Sequence, residues 1–130
     1  MPSRKISDLT LEMQALAKEF CKVLVLNGID YMITSTYRSQ LEQDALYAQG
    51  RTAPGRKVTW TRHSRHTDRE ALDIAILKGG KIMWDAKVDV DMDQVPDYLE
   101  AGKIGEQCGL VWGGRWKTPD FPHFELPRKA

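Results

Sequence analysis

The sequence has few of the features that mark specialised classes of protein. Only two of its 130 residues are cysteine, so a disulfide framework is excluded, and Cys21 and Cys108 are predicted to be small buried side chains. No apolar run approaches the length that a membrane-spanning helix requires. Nineteen Lys and Arg against eighteen Asp and Glu give a formal charge of +1, which argues against a protein that binds nucleic acid mainly by charge.

The composition is that of an ordinary globular domain. Hydrophobic residues make up 42% and charged residues 28% of the chain, and this length suffices to bury a core without staples. There are no repeats and no linker, so we predict a single domain over residues 1–130, and nothing in it demands more than a monomer. The first residues lack the apolar core of a signal peptide, and we therefore expect a protein of the cytosol.

The first third of the chain is predicted to form two helices around one strand. A helix capped by Ser7 is predicted to run to about Asn27, because apolar residues recur there at helical spacing. Residues 29–36 are rich in β-branched and aromatic side chains, which predicts a strand. The capping box formed by residues 39–42 then predicts a second helix over 40–48.

The rest of the chain alternates a long loop with short elements. Residues 51–67 are basic and show no period, which is typical of a functional or mobile loop. Further elements are predicted in this order: strands at 71–77 and 81–84, a helix at 94–108, and short strands at 110–113 and 124–126. The acidic stretch 85–93, between the strand at 81–84 and the helix at 94–108, is predicted to be solvated, with weak calcium binding as the alternative. This order predicts an α+β fold, with a small and mostly antiparallel sheet packed against about three helices.

One aspartate has no ordinary place in its segment. Asp73 lies inside the apolar run 71–77, which is predicted to be a buried strand. An ionised carboxylate there costs several kcal/mol unless it is paired or bound to a metal. On the same face of the strand, Ala71 and Ala75 would leave room for a metal and a substrate. An arginine partner for Asp73 is the alternative that the segment leaves open.

Two histidines complete a possible set of metal ligands. His66 lies seven residues before Asp73, a spacing that suits a loop folded over the end of a strand rather than one face of a helix. Together with His123 they offer two imidazoles and one carboxylate, the ligand set of hydrolytic zinc sites that keep a fourth position open to water. Asp120 is close enough in sequence to His123 to act on that water. On its own segment, His123 fits a packed core histidine as well as a ligand.

Several sequence blocks resemble those of the M15-type zinc peptidases of peptidoglycan. The pattern Ser-x-His-x-x-Gly-x-Ala-x-Asp is matched by residues 64–73, except at the glycine. The blocks Trp-Gly-Gly-Asp-Trp and Asp-x-Pro-His-Phe-Glu are matched by residues 112–116 and 120–125, except at the first aspartate. A preceding Tyr-Arg-Ser, residues 37–39, is also typical. The resemblance spans residues 29–126 and implies a fold of the hedgehog and D-Ala-D-Ala peptidase type.

The resemblance implies a chemical role for five of the matching residues. His66, Asp73 and His123 would be the ligands of one zinc ion per chain. Zinc lowers the pKa of bound water to about 7, and Asp120 would be the general base that takes a proton from the attacking water and passes it to the leaving amine. Arg38 would stabilise the oxyanion or hold a substrate carboxylate, because its planar guanidinium offers several donors.

Other residues have assignments with open alternatives. Tyr37, Ser64 and Trp116 are predicted to contact the substrate, although Ser64 is equally well explained as a cap on the ligand loop and Trp116 as part of the core. Glu125 is predicted to orient the imidazole of a ligand histidine. His63 departs from the family's spacing and is predicted to be a loop residue. The alternative for Arg38 is an ion pair with Glu42 or Asp44 on the following helix.

Two positions depart from the family's pattern. Arg69 stands where the family has glycine, so a positive φ at that position would strain the loop. Arg115 stands where the family has aspartate, which changes the charge near the site. An ion pair of either arginine with Asp68 or Glu70 is the interpretation that the sequence suggests.

The resemblance is strongest to small phage endolysins that cut the L-alanyl-D-glutamate bond, and it implies an enzyme of bacteriophage lysis that degrades the cell wall. Its substrate would be the peptidoglycan stem peptide, reached with the help of a holin-type membrane permeabiliser, without membrane insertion and without nucleic acid. The basic segment 51–65 offers a contact surface for an anionic polymer. The alternatives are a D,D-carboxypeptidase and a zinc-stabilised module that binds the cell wall without cleaving it.

Overall fold

The structure of the chain, a computed structural model, describes residues 2–85 and 96–128. In these ranges the chain forms helices α1 (Leu11–Leu26), α2 (Gln40–Ala48) and α3 (Asp97–Gln107), with short 3-10 turns at Ile6–Asp8 and Gly113–Arg115. The strands are β1 (Tyr31–Ser35), β2 (Ala71–Lys78), β3 (Lys81–Met83), β4 (Val111–Trp112) and β5 (His123–Glu125). The predicted α+β fold is therefore confirmed. None of the helices in these ranges is long and apolar enough to span a membrane.

Local capping signals decide where the helices begin. The prediction that Ser7 caps the first helix is wrong, because the Thr10 side chain accepts the hydrogen bond from the Met13 backbone and Ser7 lies in the preceding 3-10 turn. The capping box that starts α2 is present as predicted. Helix α3 begins after Pro96, which stands at its N-cap. Most of the acidic stretch, residues 86–93, lies outside the described residues.

The described strands form one antiparallel sheet around β2. The order is β1-β2-β5-β4, and β3 pairs with the end of β2 beyond that path. Strand β2 places Asp73 opposite Ser35 of β1 and opposite His123 of β5. The pairing with β1 shifts between Ile33 and Ser35, a β-bulge of the kind that redirects side chains next to functional sites.

Two helices cover the apolar face of the sheet. Phe20 of α1 contacts Phe124 of β5 with ring centroids 4.5 Å apart. Helix α3 approaches equally closely because it presents glycine: a Cβ on Gly105 would lie 2.5 Å from the Phe124 ring. The core is therefore built beneath β5, the strand that starts at His123, and a rigid support for this strand fixes the position of the histidine.

Candidate metal centre

The three predicted ligands converge at one point above the sheet. The Oδ1 atom of Asp73 lies 3.2 Å from Nε2 of His66 and 3.0 Å from Nδ1 of His123. One donor atom from each residue lies within 4.8 Å of the others. Ligand atoms around a tetrahedral zinc ion stand about 3.4 Å apart, since each bond is about 2.1 Å long. The donor types and their spacing therefore fit a zinc ion, and the arrangement is a possible His–Asp–His metal site.

Each imidazole is held in the tautomer that metal binding requires. Nδ1 of His66 lies 2.7 Å from the carbonyl oxygen of Thr36, which can only accept a hydrogen bond. Nε2 of His123 lies 2.8 Å from the buried carboxylate of Glu125. In a neutral ring, both contacts place the single ring hydrogen away from Asp73, so the other nitrogen can offer its lone pair to a metal once any proton on it is displaced. Such outer partners orient metal-bound histidines in proteins.

The loop that carries His66 is tied at both ends. Ser64 accepts a hydrogen bond from the backbone N–H of His66 at 3.1 Å, so it caps the ligand loop. The backbone N–H groups of Arg38 and Arg69 both donate to the carbonyl oxygen of His66. Three backbone contacts within one short loop leave the His66 side chain little freedom to move.

Arg69 occupies a backbone conformation that favours glycine. Its φ is +62°, in the left-handed region that costs a non-glycine residue about 1 kcal/mol or more. The guanidinium lies 3.8 Å from the centre of the Tyr37 ring and donates to the carbonyl oxygen of Asp8 at 2.9 Å. The suggested ion pair of Arg69 with Asp68 or Glu70 is therefore wrong, and the arginine instead joins the ligand loop to the N-terminal segment.

Two adjacent glycines allow close packing, Gly113 against His123 and Gly114 against Trp112. A Cβ on Gly113 would lie 2.6 Å from the backbone oxygen of Asp120 and 3.2 Å from Cβ of His123. A Cβ on Gly114 would lie 2.2 Å from the ring of Trp112.

The suggested pairing of Arg115 with Asp68 or Glu70 is also wrong, because its guanidinium pairs with Glu106 of α3, outside the cluster.

The charges of the cluster stabilise one another. Burial alone would raise the pKa of Asp73, but the charges and hydrogen bonds of His66 and His123 outweigh it and hold that pKa well below its usual range. Burial would likewise lower the pKa of His123, yet hydrogen bonds to Asp73 and Glu125 raise it to about 9. A metal ion must therefore displace a proton from His123 near neutral pH, so metal affinity is expected to rise with pH.

Asp120 lies beside the cluster without being part of it. Its carboxylate is 4.0 Å from Nδ1 of His123, and its side chain is half-exposed. Burial, followed by the negative charge of Asp73, raises the pKa of Asp120. A carboxylate with a raised pKa is a stronger base than a free one, which suits a group that takes a proton from water.

The cluster opens into a cleft of about 1200 Å³. Its lining includes Arg38 and Trp116 together with the exposed segment 58–61. The Trp116 ring lies 5.1 Å from the His123 ring. Nη1 of Arg38 donates to Gln43 at 2.8 Å, so the alternative ion pair with a carboxylate of α2 is not the contact that the structure forms.

Comparison with known proteins gives this arrangement a family. The profile of the M15 D-alanyl-D-alanine carboxypeptidase family matches residues 57–126, more than half of the chain. Over 103 residues the chain is 44% identical to CwlK of Bacillus subtilis strain 168, a peptidoglycan L-alanyl-D-glutamate endopeptidase. The chain belongs to the M15 family. The alignment covers 76% of this M15 chain and 62% of CwlK, so the chain spans less than two thirds of that relative.

Two solved structures share the fold of this M15 chain. The L-Ala D-Glu endopeptidase ChiX of Serratia marcescens superposes with a TM-score of 0.72 at 18% identity, over 98% of this chain and 89% of ChiX. The LD-carboxypeptidase LdcB superposes with a TM-score of 0.67 at 15% identity, over 91% of this chain and 58% of LdcB. At these identities the likeness shows the fold alone.

Some predicted site residues of this M15 chain lie elsewhere. Tyr37 is absent from the lining of the cleft, and its ring is covered by Arg69. His63, which was predicted to be a loop residue, pairs with Asp68 at 2.9 Å and is not in the ligand cluster. Trp116, in contrast, does line the cleft.

Two residues that the sequence did not indicate act through the predicted ones. The fully buried Gln43 accepts from Arg38 and donates to the Thr61 carbonyl oxygen at 2.7 Å. Arg65 contacts Glu125 at 3.3 Å, behind His123. Nothing in the sequence marks Gln43 as the buried residue of α2, and the partner of Arg65 is sixty residues away along the chain.

Proposed function

We propose that this M15 chain is a zinc-dependent peptidoglycan endopeptidase that hydrolyses the L-alanyl-D-glutamate bond of stem peptides. The observation that carries the proposal is the convergence of His66, Asp73 and His123, with Asp120 beside them, on the floor of a cleft. The 44% identity with CwlK supports the choice of bond.

The protein residues divide the work of hydrolysis. Zinc, held by the two histidines and Asp73, supplies a Lewis acid and a water of lowered pKa when it is bound. Asp120 takes the proton of the attacking water, whose oxygen bonds to the alanine carbonyl carbon. The C–N bond then breaks, and Asp120 passes the proton to the glutamate nitrogen. Arg38, oriented by Gln43, stabilises the negative charge that develops on the carbonyl oxygen.

Digestion of purified peptidoglycan with and without a chelator tests the proposal. We expect chelator-sensitive release of peptides that begin with glutamate, identified by mass spectrometry. Loss of only a terminal D-alanine would instead support a D,D-carboxypeptidase, the activity in the family's description. Bound zinc without any cleavage would support a module that binds the wall and does not cut it.

A variant of Asp120 separates catalysis from metal binding. We expect Asp120→Asn to retain zinc and to lose at least about 100-fold in turnover, since a general base contributes 10²–10⁴-fold. Asp44→Asn is the matched control, because Asp44 is an exposed carboxylate of α2 outside the cleft lining. Unchanged turnover in Asp120→Asn would contradict the assigned base.

We further propose that the chain acts as an endolysin, made in the cytosol of a bacterial host and released to the wall by a holin-type permeabiliser. This context follows from the resemblance to phage enzymes described above. Expression with and without a permeabiliser tests it: we expect lysis only when both are present, and lysis by the chain alone would contradict it.

A further inference from the structure

One wall of the cleft carries an aromatic ring that the proposed chemistry does not use. The segment 58–61 lines the same cleft as the metal cluster. In it, Trp60 is 69% exposed and Val58 is 56% exposed. Trp60 is the most exposed of the four tryptophans, and a large apolar side chain kept in water beside a cleft is typical of a surface that a ligand covers.

Partly buried hydrogen bonds hold the backbone on both sides of this ring. On one side, Nη2 of Arg51 donates to the carbonyl oxygen of Thr59 at 3.1 Å. On the other side, the buried Gln43 amide donates to the carbonyl oxygen of Thr61 at 2.7 Å. Because Gln43 also accepts from Arg38, the wall is tied to the residue assigned to the oxyanion. Trp60 is therefore presented at a set place relative to the reaction centre.

Two cations lie near the exposed ring. The Lys57 ammonium lies 5.6 Å from the ring centre, and the Arg51 guanidinium lies 5.8 Å from it. Both groups donate hydrogen bonds only. The wall therefore offers a flat apolar face bordered by donors, a combination that suits a ligand with an apolar face and oxygen acceptors at its edge.

The proposed substrate contains one group with this chemistry. The alanine of the L-alanyl-D-glutamate bond is amide-linked to the lactyl group of an N-acetylated amino sugar, so a sugar lies within one residue of the bond that is cut. The neighbouring peptide residues offer methyl groups and carboxylates, which have no broad face. A pyranose ring has an apolar C–H face, with hydroxyl and acetamido oxygens at its edge.

We propose that Trp60 and Lys57 form a subsite for the amino sugar of the glycan strand, with the sugar face on the indole and its oxygens bonded to the ammonium. The inference rests on the proposed function, because it takes the bond next to the sugar as the one that is cut. With this subsite, the chain would recognise the glycan strand as well as the stem peptide.

Binding without cleavage tests the subsite separately from catalysis. In an Asp120→Asn background, calorimetry compares an N-acetylmuramoyl tripeptide with the same tripeptide carrying only an N-acetyl group. Both ligands lack a free amine, so they differ by the sugar and by the lactyl carbon that carries it. We expect the muramoyl ligand to bind about tenfold more tightly, the scale of one good aromatic contact. Trp60→Ala is expected to remove this preference and to leave the affinity for the acetyl ligand unchanged.

The control is Trp84→Ala, which removes a tryptophan that is 61% exposed and absent from the cleft lining. It should retain the preference. Equal binding of the two ligands by the Asp120→Asn protein, or a preference that survives Trp60→Ala, would overturn the subsite. Cleavage assays on the native chain decide the proposed function independently: a chain that cuts both peptides equally is an endopeptidase without a sugar subsite.

Discussion

Replacing Glu125 by glutamine tests whether the outer partner of His123 controls metal binding. The carboxylate has two oxygens and serves two donors: one oxygen accepts from Nε2 of His123 at 2.8 Å, and the other faces Nη1 of Arg65 at 3.3 Å. A glutamine has a single oxygen in the same space. If that oxygen faces His123, the amide NH2 opposes the Arg65 guanidinium. If it faces Arg65, the NH2 forces the ring hydrogen of His123 onto the nitrogen that must bind the metal.

We expect either orientation to weaken zinc binding, and the contacts of Glu125 limit the size of the loss. Loss of the outer partner of a ligand histidine typically costs 10–100-fold in metal affinity, or about 1.4–2.8 kcal/mol. The contact is buried and charge-assisted, and we therefore expect Glu125→Gln to fall within that range and Glu125→Leu, which cannot accept at all, at its upper end. Competition with a chromogenic chelator at fixed pH measures the zinc affinity directly.

The chain offers a matched control for this experiment. Glu70 also contacts Arg65, at 3.6 Å, but no hydrogen bond joins its carboxylate to a predicted ligand. Glu70→Gln should therefore change zinc affinity by less than about twofold, as expected for a partly exposed ion pair. Equal losses in the two variants, or no loss in Glu125→Gln, would refute the argument that Glu125 acts through the tautomer of His123.

Two further predictions concern the packing and the protonation of the cluster. Gly113→Ala should lower both zinc affinity and turnover more than about tenfold, because the added Cβ must displace the turn from Asp120 to His123. Gly28→Ala is the control, since Gly28 has φ +73° and nothing lies within 4 Å of an added Cβ. It should cost about 1 kcal/mol of stability and leave zinc affinity unchanged. Zinc affinity equal to that of the native chain in Gly113→Ala would contradict this account. The metal-free chain should lose at most about 3 kcal/mol of stability as pH rises from about 6.5 to 9. The reason is that the pKa of His123 is higher in the folded than in the unfolded chain, so the ring stabilises the folded state only while it is protonated. Urea denaturation across this range measures the loss, which should vanish in His123→Gln, and a flat or rising profile for the metal-free chain would contradict the ion pair with Asp73.

The sequence by itself determined the features that depend on neighbouring residues. The capping box that starts α2 joins residues three positions apart, so its prediction needed no tertiary information. The apolar run around Asp73 predicted strand β2, and the misplaced carboxylate in it indicated a partner of opposite charge or a metal. Local competition also explains the wrong cap, since Ser7 and Thr10 are both good N-cap residues three positions apart, and Ser7 is taken up in the 3-10 turn that precedes the helix.

The tertiary structure alone decided how the candidate site is held. His66 is oriented by the carbonyl oxygen of Thr36, thirty residues before it, and a backbone oxygen carries no signal in a sequence. Arg69 contacts Tyr37 and Asp8, which are distant in sequence, rather than the neighbouring carboxylates, and only the folded chain brings these groups together. Residue types and spacing thus indicated which atoms could bind a metal, while the register of the sheet and the packing of distant loops decided which nitrogen of each histidine faces it.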